Sequence, residues 1–303
     1  MIKRNSSLSD ITNYKGRFVL NSEDSKWNKE VYSNKKKVCI NAPIYVKADN
    51  QVSGTKNGLS GNEVSISRAK TLIKESKITT LNHEIIIDGE ISGFTLEGGN
   101  NSLDGKAAGI TIKGKSSTYG TDKIKGSGTA ADGNVALVIK TSVPVTLQNI
   151  TITGGNNSYT YNISNTMGGG INVGSSADVT LSDGVLITGN YASTGAGVFN
   201  AGKLTVTGSS FSDDSVRCVI YNNDTNNTAG DNSGARGGGI YNAGTLFIQG
   251  HAKFLSNYAH KFGGAIYQAG NLYLSFRGKS VNRIMIFMFV LIKLLRLQIY
   301  FQL

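Results

Sequence analysis

Apolar residues follow two kinds of pattern along this chain, and the change falls near residue 80. Before it, Ile44-Tyr45-Val46 reads as a short strand. Over 65–76 the apolar residues Ile66, Ala69, Leu72 and Ile73 share one face at helical spacing, which predicts a short helix. After it, runs of three to six residues alternate apolar and polar positions and close on Gly or Asn. Glu84-Ile85-Ile86-Ile87-Asp88-Gly89, Ile110-Thr111-Ile112-Lys113-Gly114 and Val145-Thr146-Leu147-Gln148-Asn149 are of this kind. Period-two runs bounded by turn residues predict short β-strands. Residues 1–40 are polar and without clear period, and the pattern assigns them no fold.

From residue 168 the strands carry an explicit repeat. Gly168-Gly169-Gly170-Ile171, Gly195-Ala196-Gly197-Val198, Gly237-Gly238-Gly239-Ile240 and Gly263-Gly264-Ala265-Ile266 are four copies of one turn, at spacings of 27, 42 and 26. The excess of 16 in the long spacing is assigned to one inserted polar loop, Arg217 to Asn232. The last three copies align without gaps. Val198, Ile240 and Ile266 match, as do Asn200, Asn242 and Gln268; Gly202, Gly244 and Gly270; Leu204, Leu246 and Leu272; and Val206, Ile248 and Leu274. Farther along, Ile187 to Asn190 and Phe254 to Asn257 each place an apolar residue three before an Asn.

A unit of about 26 residues built of short strands cannot bury an apolar face alone, and stacking the units does bury it. Each strand then pairs in parallel with its equivalent in the next unit, about 4.8 Å away. Aligned aliphatic positions become internal columns, and Asn200, Asn242 and Gln268 become an amide ladder. The expectation is an all-β chain, a right-handed parallel β-helix over 81–276. That stretch holds about seven coils, a rod of about 35 Å. Residues 41–80 supply an N-terminal strand and a short capping helix over the first coil. A leucine-rich repeat is the rival of similar period, but its Leu-x-x-Leu-x-Leu-x-x-Asn spacing is absent.

Composition narrows the function. The net charge of +11 suggests nucleic acid until it is located. Residues 1–40 hold 9 basic and 4 acidic residues, and 277–303 hold 5 basic and none acidic, which leaves 17 basic and 16 acidic residues for 41–276. The body is neutral, so a basic face for nucleic acid is not expected. Two cysteines, Cys39 and Cys218, exclude a disulfide-built scaffold and a four-thiolate zinc site, and three dispersed histidines argue against a metal cluster. No cofactor or metal site is expected, and no feature defines an oligomer. Met1-Ile2-Lys3-Arg4 is followed by polar Asn5 to Asp10 where a signal peptide needs an apolar run. Either the protein stays inside, or the exported chain starts elsewhere.

Parallel β-helices also carry glycan-cleaving enzymes, which need paired carboxylates or a carboxylate and a base on one face. The one adjacent acidic pair, Asp213-Asp214, sits where other copies place Asn190 or Asn257, and reads as a turn acid in place of Asn. His251 and His260 flank one unit and align with no acid, so they read as surface residues. No glycine run is followed by Lys-Ser/Thr or opens a helix, so none is a phosphate loop. No catalytic residue is assigned.

Gly263-Gly264-Ala265-Ile266 and Phe254-Leu255-Ser256-Asn257 resemble the GGA[ILV] and FxxN repeats of the polymorphic outer membrane protein family. The resemblance covers 168–274 well and 44–157 in texture. It implies a surface-exposed, autotransported, adhesin-like protein with a β-helical passenger, at the cell outer membrane or extracellular surface. The expected function is a non-catalytic interaction scaffold for a host or cell-surface macromolecule, displaying polar loops such as 157–167 and 217–232. The alternative is a carbohydrate-active enzyme, a polysaccharide lyase or glycosidase, on the same scaffold. The family's signal peptide and C-terminal barrel have no counterpart in this sequence.

Residues 277–303 form an apolar basic tail, helical or disordered, with three readings. As a membrane anchor its run Ile284 to Ile292 is nine residues, against the ~20 of a spanning helix. As a cap it leaves a large apolar patch exposed. The preferred reading is an out-of-frame tail: the repeat stops in mid-unit at Ser275-Phe276, and one frame over AT-rich codons restore an alternating strand pattern. The chain is then a truncated piece of a longer surface protein.

Overall fold

The structure, a computed structural model, describes residues 43–52, 58, 60–76, 79–100, 102–128, 134–157, 167–210, 212–225 and 235–275. The 1–40 segment with Cys39, most of loop 157–167, the far half of 217–232 and the 277–303 tail lie outside the described residues.

Among the described residues strand β1 (Ile44–Val46) and helix α1 (Ile66–Lys74) come first. The strands then follow in successive layers. The first holds β2 (Asn82–Ile87), β3 (Glu90–Ser92) and β4 (Phe94–Leu96), and the second β5 (Gly109–Gly114), β6 (Lys123–Lys125) and β7 (Leu137–Ile139). The third holds β8 (Val145–Gln148), β9 (Thr151–Thr153), β10 (Asn156–Asn157) and β11 (Ile171–Val173). The fourth holds β12 (Asp178–Leu181), β13 (Leu186–Thr188), β14 (Tyr191–Ala192) and β15 (Val198–Asn200). The fifth holds β16 (Lys203–Gly208), β17 (Cys218–Tyr221) and β18 (Ile240–Asn242). The sixth holds β19 (Thr245–Gly250), β20 (Ala252–Leu255) and β21 (Ile266–Gln268), and β22 (Asn271–Ser275) is the last of the described strands.

The described residues are all-β apart from α1 and two single 3₁₀ turns, and every strand pair among them is parallel. One sheet runs β1-β2-β5-β8-β12-β16-β19-β22, a second β3-β6-β9-β13-β17-β20 and a third β4-β7-β11-β15-β18-β21, with β10 and β14 a separate pair. From β2 onward each strand therefore pairs with its equivalents in the adjacent layers and not with its chain neighbour, while β1 pairs with β2, the next strand along, across α1. All three sheets contribute to one hydrophobic core.

The register makes continuous aliphatic columns. Leu137, Ile171, Val198, Ile240 and Ile266 form one, Ile124, Ile152, Ile187, Ile220 and Phe254 another. Members of the inner layers are fully buried, each contributing about 1.5–3 kcal/mol. The column Ile110, Val145, Val179, Leu204, Leu246 and Leu272 begins at His83, an imidazole fully buried on an otherwise aliphatic line.

The glycine turn has two causes. Its first residue has positive φ in all four copies, 75°, 64°, 71° and 70° at Gly168, Gly195, Gly237 and Gly263, a conformation that glycine adopts without steric cost. Its third residue has no room for a methyl group: a Cβ at Gly170, Gly197 or Gly239 would lie 2.6, 2.5 or 2.4 Å from the carbonyl oxygen of the next layer.

At the N-terminal end α1 packs on β1. Ser65 caps it by accepting a hydrogen bond from Arg68 N at 3.2 Å, and Ile66, Ala69, Leu72 and Ile73 are buried, as their spacing predicts.

Candidate functional site

The acidic pair does not occupy the place expected of it. The register pairs Leu186 with Val219 and Tyr221 with Leu255, so the residue equivalent to Asn190 and Asn257 is Asn223, not Asp213 or Asp214. The inserted loop is also two insertions rather than one. Val206 to Val219 spans 13 residues where Ile248 to Lys253 spans 5, and Asn223 to Gly237 spans 14 where Asn257 to Gly263 spans 6. Eight residues enter on each side of β17, so Cys218–Asn223 belongs to the repeat itself. This register was obscured because the two insertions together look like one polar loop.

Both acids are engaged within the first insertion. Asp213 accepts from Ser215 N at 2.8 Å and Ser215 Oγ at 2.7 Å, capping the turn Asp214–Val216. Asp214 accepts from Lys253 Nζ at 3.0 Å and Arg217 Nε at 2.7 Å, and also contacts the Arg217 terminal nitrogen. The Lys253 hydrogen bond and the Arg217 guanidinium hold its carboxyl below the usual range. Tyr119, from the loop after β5, reaches the same corner. Burial, together with the charge of Asp214, pushes its phenol up to about 12, and its hydroxyl is buried without a hydrogen bond among the described residues. Cys218 is fully buried and its thiol is pushed up by burial, which makes it unreactive in the folded state.

A second group of side chains lies on the β13–β17–β20 side. The position after each corner Asn forms a column, Tyr191, Asp224 and Tyr258, linked by parallel bridges. Tyr221 and Leu255 stand side by side in register three residues earlier. Tyr191, Tyr221, Leu255 and Tyr258 are the exposed large apolar side chains of this face, at 38, 39, 47 and 55 % exposure. The His260 ring meets Tyr258 edge-on, with centroids 4.8 Å apart. Its Nε2 lies 3.6 Å from Asp224 Oδ1, too far for a hydrogen bond. Burial raises the Asp224 carboxyl, opposed in part by His260. The pairs Asn190-Tyr191 and Asn257-Tyr258 were a visible signal of this face; the insertions hid Asn223-Asp224 between them. His251 is half-buried and its N–H donates to Gly208 O at 3.0 Å.

An open cleft of about 260 Å³ lies beside the start of α1, lined by Asp49, Val52, Glu63, Val64, Ser65 and Arg68. Three of its polar side chains have local partners: Ser65 caps the helix, Glu63 accepts from Gly61 N, and the Arg68 terminal nitrogen pairs with Glu75, while Arg68 Nε is buried without a partner among the described residues. Among the described residues no three His, Cys, Asp or Glu side chains gather as metal ligands, and no helix is long and apolar enough to cross a membrane.

No protein-family model, curated protein or solved structure matches the chain.

Proposed function

We propose that the chain is a right-handed parallel β-helix that serves as a non-catalytic interaction scaffold at a cell surface or outer membrane. In this reading it is akin to passengers of the polymorphic outer membrane protein family. The parallel registers and continuous columns support the β-helix, and the GGA[ILV] and FxxN turns support the family. The observation that carries the interaction role is the face of Tyr191, Tyr221, Leu255 and Tyr258, apolar surface held on a rigid sheet. Its partner is a host or cell-surface macromolecule rather than nucleic acid, since the body of the chain is neutral. The experiment is binding of the purified chain to intact cells, with the triple variant Tyr191→Ser, Tyr221→Ser, Tyr258→Ser. Binding that drops tenfold or more in a folded variant supports the reading; undiminished binding removes this face from it.

Asp224 favours the carbohydrate-active alternative better than Asp213-Asp214 does. It combines a raised carboxyl, a nearby imidazole and flanking exposed tyrosines, features that suit a general acid. Turnover of a polyanionic glycan abolished by Asp224→Asn would establish that reading in place of the first.

A further inference from the structure

The column Tyr191, Asp224 and Tyr258 runs through three successive layers, each joined to the next by a parallel bridge. Adjacent layers are about 4.8 Å apart, so the two tyrosines stand about 10 Å from each other with the carboxyl midway. The spacing is fixed from the preceding residue: Asn190 Nδ2 donates to Asn223 Oδ1 and Asn223 Nδ2 to Asn257 Oδ1, each at 2.9 Å. Side chains carried on so rigid a backbone can hold a ligand in one geometry. A second column, Thr188, Tyr221 and Leu255, widens the surface over the same three layers.

The chemistry of this surface is selective. Tyr191, Tyr221, Leu255 and Tyr258 supply exposed apolar area. The Asp224 side chain is 36 % exposed, while its Oδ1 is buried 3.6 Å from His260 Nε2. The remainder of the carboxyl is therefore the part that can accept from a ligand. Among the described residues His260 is the one charged group that acts on it. A negatively charged partner is repelled here, and an uncharged body with hydroxyl donors and an apolar face is complementary. A pyranose ring is such a body: its C–H face packs on an aromatic ring and its rim donates hydrogen bonds. In a β-1,4-linked chain each ring advances by about one layer of this stack, and alternate rings present the same face.

Resting on the interaction-scaffold reading, we propose that the Tyr191–Asp224–Tyr258 column binds an uncharged β-1,4-linked hexose chain laid along the stack. Two alternate rings pack on Tyr191 and Tyr258, and a hydroxyl of the ring between them donates to Asp224. An α-1,4-linked chain of the same composition coils and cannot follow the column.

The probes are cello-oligosaccharides and chito-oligosaccharides of two to six rings, titrated into the full chain and read by calorimetry. Saturable binding of at least one series is expected, with a steep gain in affinity from two rings to three, because three are needed to reach both tyrosines. Maltohexaose should not bind. Tyr191→Ala and Tyr258→Ala, each folded by circular dichroism, should weaken the hexamer about tenfold and remove the gain from two rings to three. Absence of saturable binding in both series, equal binding of maltohexaose, or an affinity unmoved by either substitution overturns the proposal. Cell binding that falls with the triple tyrosine variant but is not competed by either hexamer overturns the glycan occupant alone and leaves the scaffold reading in place. Hexamer binding without cell binding does the reverse.

Discussion

Two amide ladders run through this protein, and they are not equivalent. The inner one, Asn200–Asn242–Gln268, lies within the β15–β18–β21 strands and begins abruptly against Val173. Its first oxygen, Asn200 Oδ1, is fully buried and accepts no hydrogen bond among the described residues. The corner ladder, Asn190–Asn223–Asn257, is tied to backbone along its whole length. Asn190 Oδ1 accepts from Gly155 N at 3.0 Å, and Asn190 Nδ2 reaches Asn223 Oδ1 at 2.9 Å and the carbonyls of Ile152 and Thr188. Asn223 Nδ2 reaches Asn257 Oδ1 at 2.9 Å, and Asn257 Nδ2 donates to Ile220 O at 2.7 Å. A stacked amide thus does two jobs. In the strand it fills a column with an atom at each end, Asn200 Oδ1 and Gln268 Nε2, left without a partner among the described residues; at the corner it satisfies backbone groups that the bend takes out of the sheets.

The largest effect should follow from breaking the corner. Asn190→Val leaves Gly155 N without its acceptor and removes the donor to Ile152 O and Thr188 O. A loss of about 3 kcal/mol is expected, because several buried polar groups lose partners at once. Asn223→Ala should cost a similar amount, and together with Asn190→Val less than the sum, since the two share bonds. Urea unfolding of the three variants measures it. A loss below about 1 kcal/mol for either single variant would make the corner ladder an ornament of the repeat.

The inner ladder should respond less. Asn242→Ala removes a donor and an acceptor and leaves a small void, so about 2 kcal/mol is expected. Asn200→Val is the sharper test. It continues the Val173 column and deletes the orphaned Oδ1, at the cost of stranding Asn242 Oδ1 and losing the 3.1 Å bond to Thr245 O. The number of buried unsatisfied oxygens is unchanged and apolar burial is gained, so stability should stay within about 1 kcal/mol of the parent. Equal losses from Asn200→Val and Asn190→Val would erase the distinction between the ladders.

The inner ladder was fully legible in the sequence and the corner ladder only in part, for a physical reason. Val198, Ile240 and Ile266 and the amides two residues later are joined to the next strand by tight glycine turns that tolerate no insertion, so their alignment has no gaps. On either side of β17 the chain passes through exposed corners, where extra residues cost little. Ile220-Tyr221-Asn222-Asn223 has the same spacing as Phe254-Leu255-Ser256-Asn257, but it was absorbed into an apparent loop. The aromatic face went unnoticed for the same cause, since Asp224 is what joins Tyr191 to Tyr258. Strand pairing and α1 were legible because buried periodicity dictates them. The state of Asp213 and Asp214 was not, because it depends on Lys253, which is distant in sequence and adjacent only through register.

Neither ladder carries charge, so neither titrates, and acid sensitivity must come from other groups. Asp104 is one such group, tying the turn before β5 to the turn before β8. It accepts from Gly99 N at 2.7 Å, Thr141 Oγ1 at 2.6 Å and Ser142 N at 2.7 Å. Burial acts against the charged form, but these hydrogen bonds outweigh it and hold the carboxyl down to about 2. A carboxyl lowered on folding stabilises the fold above its unfolded value, near 3.9, and that contribution is lost as pH falls through the folded value. The parent should therefore lose stability between about pH 4 and pH 2, and Asp104→Asn, less stable at pH 7, should show a shallower loss over that window. Asn190→Val and Asn242→Ala should be offset from the parent by a constant amount across the same range. Urea midpoints at half-unit pH steps separate the two behaviours. A ladder variant whose deficit changed with pH would show that its amides are coupled to a charged group, and the contrast between neutral ladders and a charged turn would not hold.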